Sequence, residues 1–230
     1  MNPNEYFDKI YCINLERRKD KWVQVQERFK RHQIEVERFE AIDKLGLEDE
    51  FNQFYAQNSH RTYIKTSGTY AILKTYIALY EHILSNPNIN KVLIFEDDVL
   101  FYINFNNHFK NSVENIPSDW DIWYLGGSQY KTKLEEYNKY FNYAKNLDGC
   151  FAIALQRNII KKLLNVLKLY ILPSDSSILY NFQNDGYKVL VSSPHLNAHD
   201  YGYSDNWDYY FDKDTIEHKY WRKINTVLYR

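Results

Sequence analysis

Apolar positions along the chain alternate between short runs of strand length and stretches where they recur every three or four residues. Phe7 to Leu15 is apolar and β-prone, carries Asn14 near its end, and gives way to Glu16-Arg17-Arg18-Lys19-Asp20, which predicts a first strand with a polar tip. Trp22, Val25 and Phe29, with Val23 beside them, make the stripe of a helix over Asp20 to Gln33 that leaves Lys21, Gln24, Glu27, Arg28 and Arg31 largely outward. Val36 to Ile42 reads as a second strand ending at Asp43. Residues 44–66 are polar, lack clear periodicity and read as an exposed loop. Ser67 is the expected N-cap of a long helix to about Leu84, with Tyr70, Leu73, Ile77, Tyr80 and Leu84 on one face and Asn86-Pro87-Asn88 closing it.

Lys91 to Val99 follows as an apolar run, then a helix around Asn104 to Asn115 stopped near Pro117. Asp121 to Leu125 reads as a strand entering Gly126-Gly127, which serves either a plain turn or a close approach of backbone to a ligand. Lys131 to Asn146 is a solvated excursion by composition. Gly149 to Leu155 returns to the core, Asn158 to Leu169 is an amphipathic helix, and Pro173-Ser174-Asp175 opens another. Tyr187 to Ser192 is the expected last strand, before an aromatic, charged tail with His195, His199, Asp200 and Asp205. No repeat or low-complexity linker divides this alternation, so the expectation is one α/β domain over residues 1–230, built on a parallel sheet.

The run ending in Glu96-Asp97-Asp98 carries the chemistry. Unpaired buried carboxylates are costly, so three in sequence at a strand tip call for a cation, a donor-rich ligand or open water. Mg²⁺ and Mn²⁺ favour oxygen ligands and reach substrate phosphates through one or two protein carboxylates. The competing reading is that the triplet merely caps the next segment. A buried parallel strand in front of it shifts the balance toward a ligand, because open α/β sheets bind ligands beyond their strand carboxyl ends.

A net charge of −1 excludes a general nucleic-acid footprint. The 22 Tyr and 13 Phe against one Met read as compositional bias more economically than as stacking surfaces. Cys12 and Cys150 lie in apolar runs and are expected as buried thiols, in keeping with a reducing compartment. No apolar segment approaches a membrane span and Met1 to Glu5 lacks a signal-peptide pattern, so the expectation is a soluble intracellular or cytoplasmic chain whose contact with any membrane-bound acceptor is peripheral.

Four segments in order resemble glycosyltransferase family 25: Ile13 to Trp22; Arg38 to Asp43; Leu93 to Val99; and Trp120 to Gly126 with Gly149 to Leu155 and Leu172 to Asp175. The resemblance departs where the family typically has Ser-His before the acidic strand, since Thr75-Tyr76 stands here, with Thr75 keeping a hydroxyl. It implies a GT-A fold, Rossmann-like with a mostly parallel sheet, that uses a UDP-sugar donor and Mn²⁺ or Mg²⁺ in an inverting transfer to a glycan or hydroxylated protein acceptor. By similarity Asp98 is the direct metal ligand, with Glu96 and His199 completing the set and His195 competing; Glu96 or Asp97 also faces the ribose or metal-bound water. Asn14, Arg17, Arg18, Thr75, Ser204 and Asp205 fall on the nucleotide side, and Asp175, then Asp148, are the candidate bases.

Rival readings are a degenerate GT-A-like domain that binds a sugar nucleotide or glycan without transfer, a nucleotidyltransferase, and a pure interaction domain. The second lacks a glycine-rich triphosphate loop and the third leaves the carboxylates unemployed.

Overall fold

The computed structural model describes residues 1–129, 133–184, 186–200 and 202–211. In chain order its elements are α1 (Pro3–Tyr6), β1 (Lys9–Leu15), α2 (Lys19–His32), β2 (Glu37–Ala41), α3 (Glu48–Asn58), α4 (Ser67–Ser85), β3 (Lys91–Glu96), β4 (Val99–Phe101) and α5 (Phe105–Asn115). Then come β5 (Ile122–Tyr124), β6 (Ser128–Gln129), β7 (Glu136–Asn138), β8 (Phe141–Tyr143), β9 (Leu147–Asp148), β10 (Ala152–Gln156), α6 (Arg157–Leu167), α7 (Ser174–Phe182), β11 (Val189–Ser192), β12 (Asn197–His199), β13 (Gly202–Ser204) and β14 (Tyr209–Phe211).

One eight-stranded sheet in the order β2-β1-β3-β10-β5-β11-β8-β7 organises the chain. Strands β2, β1, β3, β5, β11 and β7 run one way, while β10 and β8 run against them. The mostly parallel, helix-flanked sheet expected of a GT-A fold is therefore what forms. Alternation along each strand divides the core between two faces. Tyr11, Ile13, Val92, Ile94, Ile153 and Val191 meet helices α4, α6 and α7, whereas Ile10, Cys12, Leu93, Phe95, Trp123 and Leu190 meet α2 and α5. Val92 to Phe95 are fully buried on both faces, which explains their unbroken apolar run.

Several expectations change. The stretch 44–66 contains α3, whose first turn carries Glu48, Asp49 and Glu50 where the helix dipole favours acids. None of its residues is buried, so its periodicity is faint, and Phe54 holds it in place by stacking on Tyr70 at 4.9 Å. The cap of α4 is Thr66, whose hydroxyl accepts from Thr69 N at 3.0 Å, one residue before the expected Ser67. Val23 is exposed, off the α2 stripe, while Lys21 and Arg28, expected outward, turn partly inward toward carboxylates. Of the excursion Lys131 to Asn146, residues 131–132 lie outside the described residues; the remainder holds the hairpin β7–β8, which extends the sheet and buries Phe141. Three short strands follow the expected last one, and β12 returns to pair with β4. Gly126 and Gly127 make room for the chain itself: a Cβ on Gly126 would lie 1.8 Å from Asn197 O, and one on Gly127 2.5 Å from Leu147. Both cysteines are free and buried, as expected.

Candidate active site

The carboxyl ends of β1 and β3 open on a cavity of about 710 Å³. Because β10 runs antiparallel to β3, pairing Ala152 with Phe95, the segment before it delivers Asp148 and Gly149 to the same rim. The start of α7 adds Ser174 and Asp175. The tail closes the ring, since His199 pairs with Val99 and Asp200 N donates to Asp98 O at 2.7 Å. Asn14, Arg17, Glu96, Asp97, Asp98, Asp148, Asp175, His199, Ser204 and Asp205 all line this one cavity.

At the acidic tip each carboxylate has a different environment. Glu96 accepts from the Tyr76 hydroxyl at 2.8 Å, and its pKa is pushed up to about 8, first by burial and then by Asp98. Asp97 accepts from Asn14 Nδ2 at 2.6 Å and lies 3.5 Å from Lys21 Nζ; burial raises it to about 6 against the pull of Lys21. Asp98 Oδ1 is buried without a hydrogen-bond partner among the described residues. An orphaned anionic oxygen of this kind is an unmet demand for positive charge or a donor.

Asn14 lines the cavity with its side chain already hydrogen-bonded. Its amide donates to Asp97 and to Arg18 O, and its Oδ1 accepts from Arg38 Nε at 2.9 Å, so its hydrogen bonds are spent on orienting the acidic tip. Arg17 reaches Asp43 at 2.6 Å and Asp205 at 2.7 Å, with Asp43 the main cause of its raised pKa. Arg18 is shared between Asp20 and Asp205 and does not line the cavity. Segment 202–211 lies against the start of α4, where a Cβ on Gly68 would meet Asn206 O at 2.2 Å.

Across from the tip, Asp148 Oδ1 is also buried and unbonded among the described residues, and burial followed by the charge of Asp175 lifts its carboxyl to about 6. Asp175 sits in the first turn of α7 and its Oδ1 accepts from Ser176 N at 2.7 Å, but the N-cap is Pro173 and no side chain caps the helix, so Asp175 is not the cap its position suggests.

Besides Arg18, two expected residues are elsewhere. Thr75 is fully buried, accepting from Ile42 N at 2.9 Å and donating to Ala71 O at 2.9 Å, which commits its hydroxyl to joining α4 to β2. His195 does not line the cavity; burial lowers its pKa to about 4, which favours the uncharged ring. Sequence patterning missed Lys21, Lys44, Asp43 and Trp207, which do line it. Lys21 carried a signal, lying one turn beyond Arg17 at the start of α2, whereas Trp207 comes from a tail without periodicity.

Among the described residues no three His, Cys, Asp or Glu side chains converge to hold a metal ion by themselves. Hard cations leave positions for water and substrate phosphate, and the unbonded Asp98 Oδ1, with Glu96 and His199 in the same cavity, fits a cation completed by a ligand's phosphates. No helix among the described residues is long and apolar enough to cross a membrane.

The profile of glycosyltransferase family 25, described as an LPS biosynthesis protein family, matches residues 7–148. Procollagen galactosyltransferase 2 of Homo sapiens is 27% identical over 142 residues, covering 56% of this chain and 22% of that protein. The human inactive glycosyltransferase 25 family member 3 is 26% identical over 142 residues, covering 56% and 23%. The match thus spans about a fifth of the length of these curated relatives. Among solved structures, a glycosyltransferase involved in glycosylation of the major capsid of PBCV-1 superposes with a TM-score of 0.48 at 9% identity, covering 87% of this chain and 95% of that one.

Proposed function

The chain belongs to glycosyltransferase family 25, and from this we propose that it is a metal-dependent, inverting glycosyltransferase. It moves a hexose, galactose or glucose, from a UDP-sugar to a hydroxyl of a glycan or protein acceptor. The observation that carries this reading is the buried, unbonded Asp98 Oδ1 at a strand tip, sharing one cavity with Lys21 and Arg17 and with the raised carboxyl of Asp148. Asp98, with Glu96 and His199, would hold Mn²⁺ or Mg²⁺, which when bound supplies Lewis-acid stabilisation of the leaving diphosphate.

Lys21 and Arg17 add positive charge beside the diphosphate, Arg offering a planar fork for phosphate oxygens. Ser204 and Asp205 border the donor from the tail. The acceptor oxygen forms its bond to the anomeric carbon as the bond from that carbon to the diphosphate oxygen breaks. The hydroxyl proton passes to a carboxylate, which we assign to Asp148 ahead of Asp175. A base with a pKa near the working pH is effective, and the value of about 6 for Asp148 meets that condition. Asp175, hydrogen-bonded at its helix start, then acts by raising Asp148.

A second reading has one observation in its favour: relatives of this chain include proteins named as inactive. It keeps donor binding and loses transfer. Nucleoside diphosphate release and binding, measured with UDP-, GDP- and TDP-sugars and Mn²⁺, separate the two. Turnover of one donor, abolished by chelation, by Asp98→Ala and by Asp148→Asn, supports the transferase; metal-dependent binding without turnover supports the degenerate domain. If no donor binds and Asp98→Ala behaves as wild type, both readings fall.

A further inference from the structure

Among the described residues helix α4 makes one side-chain hydrogen bond to the acidic tip. Tyr76, at the place where the Ser-His pair of the family would end, is 1% exposed, and its Oη donates to Glu96 Oε1 at 2.8 Å. This is the one side-chain hydrogen bond on Glu96 among the described residues. The phenol has little freedom to leave, because its ring lies in the core against Tyr80, with centroids 5.9 Å apart. Next to it, Thr75 ties the same helix to the end of β2 through Ile42 N. One residue pair therefore registers α4 on two strand tips.

Glu96 needs such a tether. Asp97 and Asp98 follow it in the chain, and Asp175 lines the same cavity. A glutamate side chain has three rotatable bonds, and the hydrogen bond from Tyr76 restricts them. With Oε1 held by Tyr76, Oε2 is the atom left for a ligand in the cavity. We propose that Tyr76 is a positioning residue that fixes Glu96 for donor and metal binding. The inference rests on the transferase reading above and deepens it.

Donor turnover and binding with UDP-galactose, UDP-glucose and Mn²⁺ test it in wild type, Tyr76→Phe, Glu96→Gln and the double variant. Tyr76→Phe keeps the ring and its packing and removes only the donor; Tyr80→Phe removes a neighbouring phenol as control. The expected result is a loss of about tenfold or more in kcat/KM or donor affinity with Tyr76→Phe, little change with Tyr80→Phe, and no further loss when Tyr76→Phe is added to Glu96→Gln. That non-additivity is the signature of two residues acting as one unit. Equal losses in both backgrounds, or a Tyr76→Phe protein that is less stable yet within twofold of wild type in turnover and binding, overturn the inference while wild-type activity leaves the transferase reading standing. A wild type that neither binds nor turns over either donor removes both, a distinct outcome.

Discussion

Replacing Asp148 with Asn tests the electrostatic premise of the proposed base without any substrate. Burial and Asp175 raise this carboxyl from 3.8 to about 6 in the folded chain. The folded state then binds more protons than the unfolded state between those values, so Asp148 makes stability fall as pH rises through that window and level off above about 6. A shift of roughly two units at about 1.36 kcal/mol each sets a ceiling near 3 kcal/mol. Asp148 is only partly buried, and solvent screening reduces this to about 1.5 kcal/mol. Asn has nearly the same shape and no charge to desolvate. Urea unfolding followed by tryptophan fluorescence should therefore find Asp148→Asn about 1.5 kcal/mol more stable than wild type at pH 8 and nearly equal to it at pH 4. Equal stability at both pH values, or a less stable variant at pH 8, would mean that the fold does not disfavour the carboxylate, and the assignment of Asp148 as a base poised near neutrality would lose its footing.

Arg157 donates to the carbonyls of Ile83, Leu84, Asn86 and Ile89 at 2.7 to 3.3 Å, reinforcing the end of α4 beyond the bond from Asn86 N to Ile83 O. At about 1 kcal/mol per well-made bond, Arg157→Met should cost about 3 kcal/mol, or about 10 °C by calorimetry; a loss below 1 kcal/mol would show that water replaces the guanidinium freely. Gly68→Ala puts a Cβ 2.2 Å from Asn206 O, a backbone atom that cannot simply turn aside. It should speed hydrogen exchange and proteolysis across residues 202–211 while leaving β1 and β3 protected, and unchanged exchange in the tail would contradict the packing described. The depressed pKa of His195 means that the folded chain takes up its proton later than the unfolded one, so stability is lost as pH falls from about 6.5 toward 4. Imidazole carbon shifts of His195 should stay flat from pH 8 to 5; a midpoint above 6 would refute its burial as a neutral ring.

The strands and helices with two-sided burial were legible because each buried position repeats at its own period. Val92 to Phe95 and the face Tyr70, Leu73, Ile77, Tyr80 announced themselves in this way. Helix α3 did not, since it buries no residue completely and its stripe reduces to Phe51 and Phe54. The acidic tip was legible as chemistry because consecutive carboxylates are costly wherever a strand is buried. What local sequence could not express was which groups would satisfy one another. Asn14, read as a ligand group, spends its amide on Asp97, Arg18 and Arg38, two of them distant in the chain. Lys21 and Arg28, read as solvated, are drawn to Asp97 and Asp200 by tertiary packing. Tyr76 stood out in the sequence only as a departure from the family's Ser-His, and only the approach of β3 gives its hydroxyl a partner.

The reversed direction of β10 has a consequence for how the pocket can diversify. Strands β1 and β3 bring their functional groups to the rim where they end, but β10, beside β3, brings Asp148 and Gly149 there just before it begins. Besides α7 and the tail, two separate lengths of chain shape the pocket: that from β1 to β3, and the stretch from β5 to β10 that makes its own hairpin at the sheet edge. Residues can be added to or removed from that hairpin without shifting the register of Asn14 or Glu96 to Asp98. One side of the cavity is thus held by the central strands while the other borders a hairpin at the sheet edge, so a single scaffold can keep the first and vary the second.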